Sequence, residues 1–258
     1  MDQSIALSLT GFIVGMIVGM TGVGGGSLMT PALVGLFRIQ PAIAIGTDLA
    51  FAALTKAVGT SAHIRHAGVD RHVVRLMFIG SLPACVMAML WLRFGGMESP
   101  SAGSVLRYAI ATSLGLTVVA LLWRERLLEW RRSLQIEVSP RVRDTTTIVA
   151  AAVIGALVAL SSIGAGAVGC VVISLIHPRL SSREVAATDI AYAVPLTAIA
   201  AAGHALAGNI DPMLLVTLLV GSVPGIILGA RLSLRLPDVV TRRLLAGALV
   251  LAAVKTVA

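Results

Sequence analysis

The chain has 258 residues, of which 57% are hydrophobic and 12% charged, and its mean hydropathy is +0.95. A soluble domain carries roughly 25% charged residues, so this composition excludes an ordinary soluble enzyme and points to long apolar runs joined by short basic loops. The formal net charge of +8 is confined to a few loops without interleaved aromatics, which argues against a nucleic-acid partner and for the basic cytoplasmic loops of a membrane protein.

The first apolar run, Ile5–Met20, has no basic leader and ends in a Gly-rich turn, so it reads as a retained segment and not a cleaved signal peptide. A short run, Ser27–Phe37, follows, then Ala42–Ala62, Val73–Trp91 and Val105–Trp123. The basic stretch Arg124–Arg143 separates these from Thr145–Leu160, the short Ala167–Ile176, Val185–Ala205, Pro212–Ala230 and Val239–Val257. The pattern predicts an all-α, polytopic integral membrane protein with a first membrane repeat over 1–123, a cytoplasmic basic linker over 124–144 and a second repeat over 145–258. A crossing takes about 20 apolar residues, and the second segment of each half is too short for one. Each is joined to its predecessor by a Gly-rich turn, Gly22-Val-Gly24-Gly25-Gly26 or Gly164-Ala-Gly166. Gly-interrupted pairs at matching places in two halves predict broken or re-entrant helices that line a site; two full crossings remain the alternative.

The halves match at a spacing of 141 residues, with Thr47-Asp48 on Thr188-Asp189, His63 on His204, Asp70 on Asp211, and Gly80-Ser81-x-Pro83 on Gly221-Ser222-x-Pro224. Ten of the 37 pairs between positions 47 and 83 are identical. Two Asp pairs, a His pair and a Pro pair in one register identify a duplication. Fifteen of the 20 Lys and Arg residues fall in the loops after residues 62, 123, 176 and 230. The positive-inside rule makes those loops cytoplasmic and puts both termini outside. Each half then crosses an odd number of times, so the second repeat is inverted relative to the first.

Asp48 and Asp189 each fall about two turns into the third segment of their half, roughly 10 Å from the helix start at 1.5 Å per residue. Pro41 opens one of these helices, and Ser181-x-x-Glu184 reads as a capping box opening the other. Intramembrane carboxylates are costly and face a cavity or a partner, so both are candidates for gating or proton coupling; holding the fold through backbone contacts is the competing role. His63 and His204 recur near the far ends of the same helices, as gating candidates or as interfacial residues. Lys56, eight residues after Asp48, lies on another face and about 12 Å along the helix. It is a candidate for attracting an anion, although its long stem favours snorkelling toward the cytoplasmic interface. Position 197, its counterpart, is Thr.

Short helices starting near Ser27 and Ala167 would aim their N-termini into the protein, where free N–H groups favour anions. Thr21, Gly22, Gly24, Gly25, Gly26 and Ser27 from one turn, and Ser161, Ser162, Gly164 and Gly166 from the other, form the candidate substrate-binding set; close helix packing through the glycines is the alternative. No metal or cofactor is expected, because His63-x-x-His66 has no second-half partner. Gly164-x-Gly166-x-x-Gly169 lacks the strand of a dinucleotide fold. Cys85 and Cys170 sit in apolar runs and read as small core residues.

With Thr21-Gly-Val-Gly-Gly-Gly-Ser27, Gly46-Thr-Asp48, His63, Gly68-Val-Asp70, His204, Gly208-Asn-Ile-Asp211 and Gly221-Ser-Val-Pro-Gly225, the chain resembles the TauE/SafE sulfite exporter family over nearly its whole length. The resemblance implies a bacterial inner-membrane transporter for sulfite, sulfoacetate or a related organosulfonate; an enzyme is not expected, because no HExxH, Ser/Lys or paired catalytic Asp motif falls within the spans. Its partners would be a small anion and the lipid bilayer, with protons as candidate coupling ion and a homodimer left open. Export by alternating access is the leading expectation, and a passive anion channel or a non-transporting assembly factor the alternatives. Ala187 stands where the first copy has Gly46, and the second turn has fewer glycines, so the two half-sites are expected to be unequal.

Overall fold

The computed structural model describes residues 3–21, 26–63, 68–96, 102–133, 138–233 and 247. Among them the chain is helical throughout, with no strand. The helices run α1 (Gln3–Thr21), α2 (Gly26–Gly35), α3 (Pro41–His63), α4 (Arg71–Trp91), α5 (Ala102–Ser133), α6 (Pro140–Ser161), α7 (Ala167–Ile176), α8 (Ser182–Leu206) and α9 (Pro212–Ser233). A π-helical turn, Leu92–Gly96, extends α4. The last apolar run, Val239–Val257, lies outside the described residues apart from Gly247.

Six of these helices, α1, α4, α5, α6, α8 and α9, are long and apolar enough to cross a membrane. Helices α2 and α7 have ten residues each, or about 15 Å, half of a ~30 Å hydrocarbon core. The distribution of polarity is that of a protein dissolved in lipid. Met87 and Val220 are 69% and 65% exposed on helix flanks, while Thr47, Asp48 and Thr188 are fully buried. Water would penalise that arrangement, and hydrocarbon does not.

Three helix pairs organise the interior: α1 with α9, α4 with α6, and α3 with α8. The first two meet backbone to backbone. A Cβ on Gly15 would strike Ser222 of α9, and one on Gly155 of α6 would strike Ser81 of α4. Likewise Gly221 lies on Ser8, and Gly80 on Ile148. Small residues permit such approach where no hydrophobic force drives helices together. These contacts are equivalent in pairs, but Gly15 to Gly155 and Ser8 to Ile148 are offsets of 140, whereas Ser81 to Ser222 and Gly80 to Gly221 are offsets of 141. The second half therefore carries one extra residue between its opening helix and α8.

Helices α3 and α8 run antiparallel. The Asp211 N–H donates to Thr47 Oγ1 at 3.1 Å, and the Asp70 N–H donates to Thr188 Oγ1 at 3.1 Å. Each aspartate also caps the next helix. Asp70 Oδ1 accepts from the N–H groups of His72 and Val73, and Asp211 Oδ1 from those of Met213 and Leu214. The capping box is present too, with Glu184 N–H donating to Ser181 Oγ and Ser181 N–H to Glu184 Oε2.

The basic linker differs from the sequence expectation, because α5 continues to Ser133 and α6 begins at Pro140. Arg124, Leu127, Leu128 and Arg131 recur at helical spacing and are half-buried, while Glu125, Arg126, Glu129 and Trp130 are exposed. A stripe of that kind packs one face of a helix and leaves the other exposed.

Candidate functional site

The site grows from α3 and α8. Asp48 stands seven residues after Pro41 and Asp189 seven after Ser182, so the antiparallel pair places each acid in from the opposite end. Asp48 is fully buried and Asp189 2% exposed. Burial at this level demands partners, and the two acids have solved the problem differently.

Asp48 Oδ2 accepts from the Thr30 hydroxyl at 2.5 Å and from the Thr30 N–H at 3.2 Å. Thr30 comes from α2, which thereby docks onto α3. Ser162 lies beside the same carboxylate, yet neither Ser162 Oγ nor Asp48 Oδ1 attains hydrogen-bond geometry among the described residues. Asp189 faces the opening of α7 instead. A Cβ on Gly169 would collide with its carboxylate, and the Gly166 N–H and the Cys170 thiol are its neighbours. Asp189 Oδ1 is likewise buried without a hydrogen-bond partner. Buried polar atoms are rarely left so, and three of them gather around two acids here.

Lys56 joins the halves. Its Nζ donates to the carbonyl of Ala165, in the turn between α6 and α7, at 3.3 Å. From there its charge acts on both Asp189 and Asp48. Lys56 is half-buried there, with a partner in the other half and two carboxylates acting on its charge.

The turn that receives Lys56 has unusual backbone. Ser162 caps α6 in the left-handed region at φ 61°, and Gly164 and Gly166 adopt φ 130° and 124°. A Cβ is strained at such angles, so both glycines are required by the turn. Ser161 does not face the acids. Its hydroxyl donates to Leu157 O at 2.6 Å and lies 2.9 Å from Ser113 Oγ of α5, a hydroxyl that can donate to it. His204 is also tied into the core, with Nε2 3.0 Å from Ala159 O and Asn209 Nδ2 3.5 Å from Nδ1.

The structure thus brings together Asp48, Asp189, Lys56, Ser162 and Gly166, turns Gly164 toward Val158 and Ile154 of α6, and directs Ser161 and His204 elsewhere. Gly22, Gly24 and Gly25 lie outside the described residues, as do the side chains of Thr21, Ser27 and His63. Gly26 heads α2. Sequence reasoning passed over Thr30, Gly169 and Cys170. For Thr30 the only signal was a hydroxyl one turn into the short helix. The spacing from Thr30 to Asp48 is the spacing from Val171 to Asp189, and valine there explains why the second acid needed other neighbours.

Residues 7–256 match the family described as Sulfite exporter TauE/SafE. The chain belongs to the TauE/SafE sulfite exporter family. Among similar proteins, the probable membrane transporter protein YjnA of Bacillus subtilis (strain 168) is 32% identical over 234 residues, covering 90% of this chain and 91% of that one. The probable membrane transporter protein YdhB of the same organism is 28% identical with the same two coverages. A third, YunE, is 32% identical over 82 residues, or 32% of this chain and 28% of its own. No solved structure matches significantly. With six membrane-length apolar helices, this TauE/SafE member is a multi-pass membrane protein of a transporter family.

Proposed function

We propose that the protein is an inner-membrane secondary transporter that exports a sulfur oxyanion, sulfite or a sulfonate such as sulfoacetate, by alternating access. The observation that carries this reading is Lys56 of one half reaching the Ala165 carbonyl of the other between two buried acids. A cation at the junction of the halves gives a small anion a counter-charge, and two acids beside it supply the repulsion that keeps the stay brief.

Inverted membrane repeats, over 1–123 and 145–258, are supported by the paired Thr–Asp bonds across α3 and α8 and by the duplicated glycine contacts of α1–α9 and α4–α6. Rocking of one half on the other would then move the Asp48 and Asp189 sides alternately toward solvent. The Gly-rich turns are proposed to hold the anion through N–H groups, with Ser162 as the hydroxyl donor that faces the site. Protons are the proposed coupling ion, carried on Asp48 and Asp189, with His63 as a gating residue. The basic loops are proposed to be cytoplasmic and both termini external.

Uptake of labelled sulfite and sulfoacetate into proteoliposomes tests the transport claim, and absence of any small-anion flux would sink it. Proton coupling fails separately if an Asp48→Asn/Asp189→Asn variant keeps pH-dependent flux. A channel is distinguished by flux that neither saturates nor accelerates with substrate on the far side.

A further inference from the structure

Beside the acids, at the arginine-rich end of the bundle, the extension of α5 lies against the α7–α8 connection and encloses a half-open cleft of about 50 Å³. Arg124, Leu128, Arg131, Ser174, Pro178, Leu180, Ser182 and Val185 line it. That volume holds a few water molecules or one small oxyanion. Arg124 and Arg131 are two turns apart on one face, with Leu128 between them. Two hydroxyls complete the polar lining among the described residues.

The cleft leads toward the site. Ser174 Oγ donates to Cys170 O at 2.7 Å, one turn back along α7. Val185 stands one turn before Asp189 on α8. Cys170 and Asp189 are neighbours, and the charge of Arg124 is felt at Cys170. Its inner wall is therefore one helical turn from the Asp189–Cys170 contact, and its outer wall carries two guanidinium groups.

We infer that this cleft is an oxyanion-binding vestibule, in which Arg124 and Arg131 collect the substrate anion before it passes to the Asp189–Lys56 side of the transport site. The inference rests on the transport reading. Guanidinium forks match oxyanion geometry in two-pronged hydrogen bonds, and two cations at a narrow mouth raise the local anion concentration. Placement on one side makes the effect sided: Arg124 and Arg131 act on anions arriving from the arginine-rich end and not on those arriving from the other.

The test measures initial rates of labelled sulfite uptake in everted and in right-side-out membrane vesicles. An Arg124→Gln/Arg131→Gln variant should raise KM at least about five-fold in one orientation and leave KM in the other within about two-fold, with the ratio of maximal rate to KM changing by one common factor in both, as reciprocity requires. Arg124→Lys/Arg131→Lys should recover most of the loss, as a charge effect requires and a packing effect does not. Should the double Gln variant not reach the membrane, Arg124→Gln alone is expected to give a smaller sided rise. A KM unchanged in both orientations, or raised equally in both, overturns the vestibule. Proteoliposomes of phosphatidylcholine alone, which has no net charge, separate substrate from anionic lipid. The KM rise should persist there, and its disappearance without anionic lipid overturns the assignment. Sulfite flux by the wild type with an unaltered Gln variant refutes the vestibule alone; no wild-type flux refutes the transport reading with it.

Discussion

Asp48 and Asp189 occupy the same place in their two halves and are kept in the interior by opposite means. Asp48 is held by neutral donors, the hydroxyl and N–H of Thr30 on α2. Asp189 has a glycine cradle at Gly169, a thiol and a backbone N–H beside it, and the charge of Lys56 acting on it. Two copies of one motif have thus diverged in their neighbours, Thr30 of α2 for one acid and the Gly166 N–H and Cys170 thiol of α7 for the other, with the charge of Lys56 acting on both. The lesson is that a symmetric scaffold need not carry a symmetric site, since a single lysine with a threonine counterpart makes the halves electrically different.

The largest effect should come from removing that lysine. Lys56→Gln removes the bond to Ala165 and the cation whose charge acts on both buried carboxylates. Thermal stability in detergent should fall, and flux should drop ~100-fold. Adding Asp189→Asn should restore more stability than adding Asp48→Asn, because Asp48 keeps Thr30. Equal rescue by both would erase the distinction between the two acids.

Next is Gly169→Ala, which drives a methyl group into the Asp189 carboxylate; overpacking of this kind costs roughly 1–3 kcal/mol. Flux should fall about 10-fold or more. Gly103→Ala, where nothing lies within 4 Å of the added Cβ, should be silent. Wild-type flux from Gly169→Ala would mean that the cradle does not constrain the acid.

Thr30→Val removes one hydrogen bond to Asp48, worth about 1 kcal/mol, and should lower stability by that amount in wild type and by almost nothing in Asp48→Asn. The double-mutant cycle reads the coupling directly. The smallest effects belong to Thr47→Val and Thr188→Val. Each deletes one bond to a capping aspartate, about 0.6 kcal/mol inside a membrane. Equal losses for the two would sharpen the proposed equivalence of the halves, and a clear inequality would break it.

Much of this was legible in the sequence. Helices α2 and α7 appear where short apolar runs follow Gly-rich turns, Pro41 opens α3, and the Ser181–Glu184 capping box opens α8. These are local signals, set by spacing along one segment. The Asp and Thr pairs at a spacing of 141 were visible as repeats, but their crossed bonding was not, because Thr47 and Asp211 are 164 residues apart. The Lys56 to Ala165 bond was illegible for the same reason. The Lys56 stem could reach the interface or the partner half, and only the antiparallel seating of α3 on α8 decides which. The helical linker was missed because its arginines masked the half-buried stripe of Arg124, Leu127, Leu128 and Arg131.

The central claim is that Asp48, Lys56 and Asp189 form one transport centre across the junction of α3 and α8. Sulfite counterflow in proteoliposomes tests it most directly, with the wild type beside Lys56→Gln purified as a folded, monodisperse protein. The account predicts saturable uptake of labelled sulfite, accelerated by unlabelled sulfite inside and abolished in the variant. Undiminished counterflow in folded Lys56→Gln would contradict it.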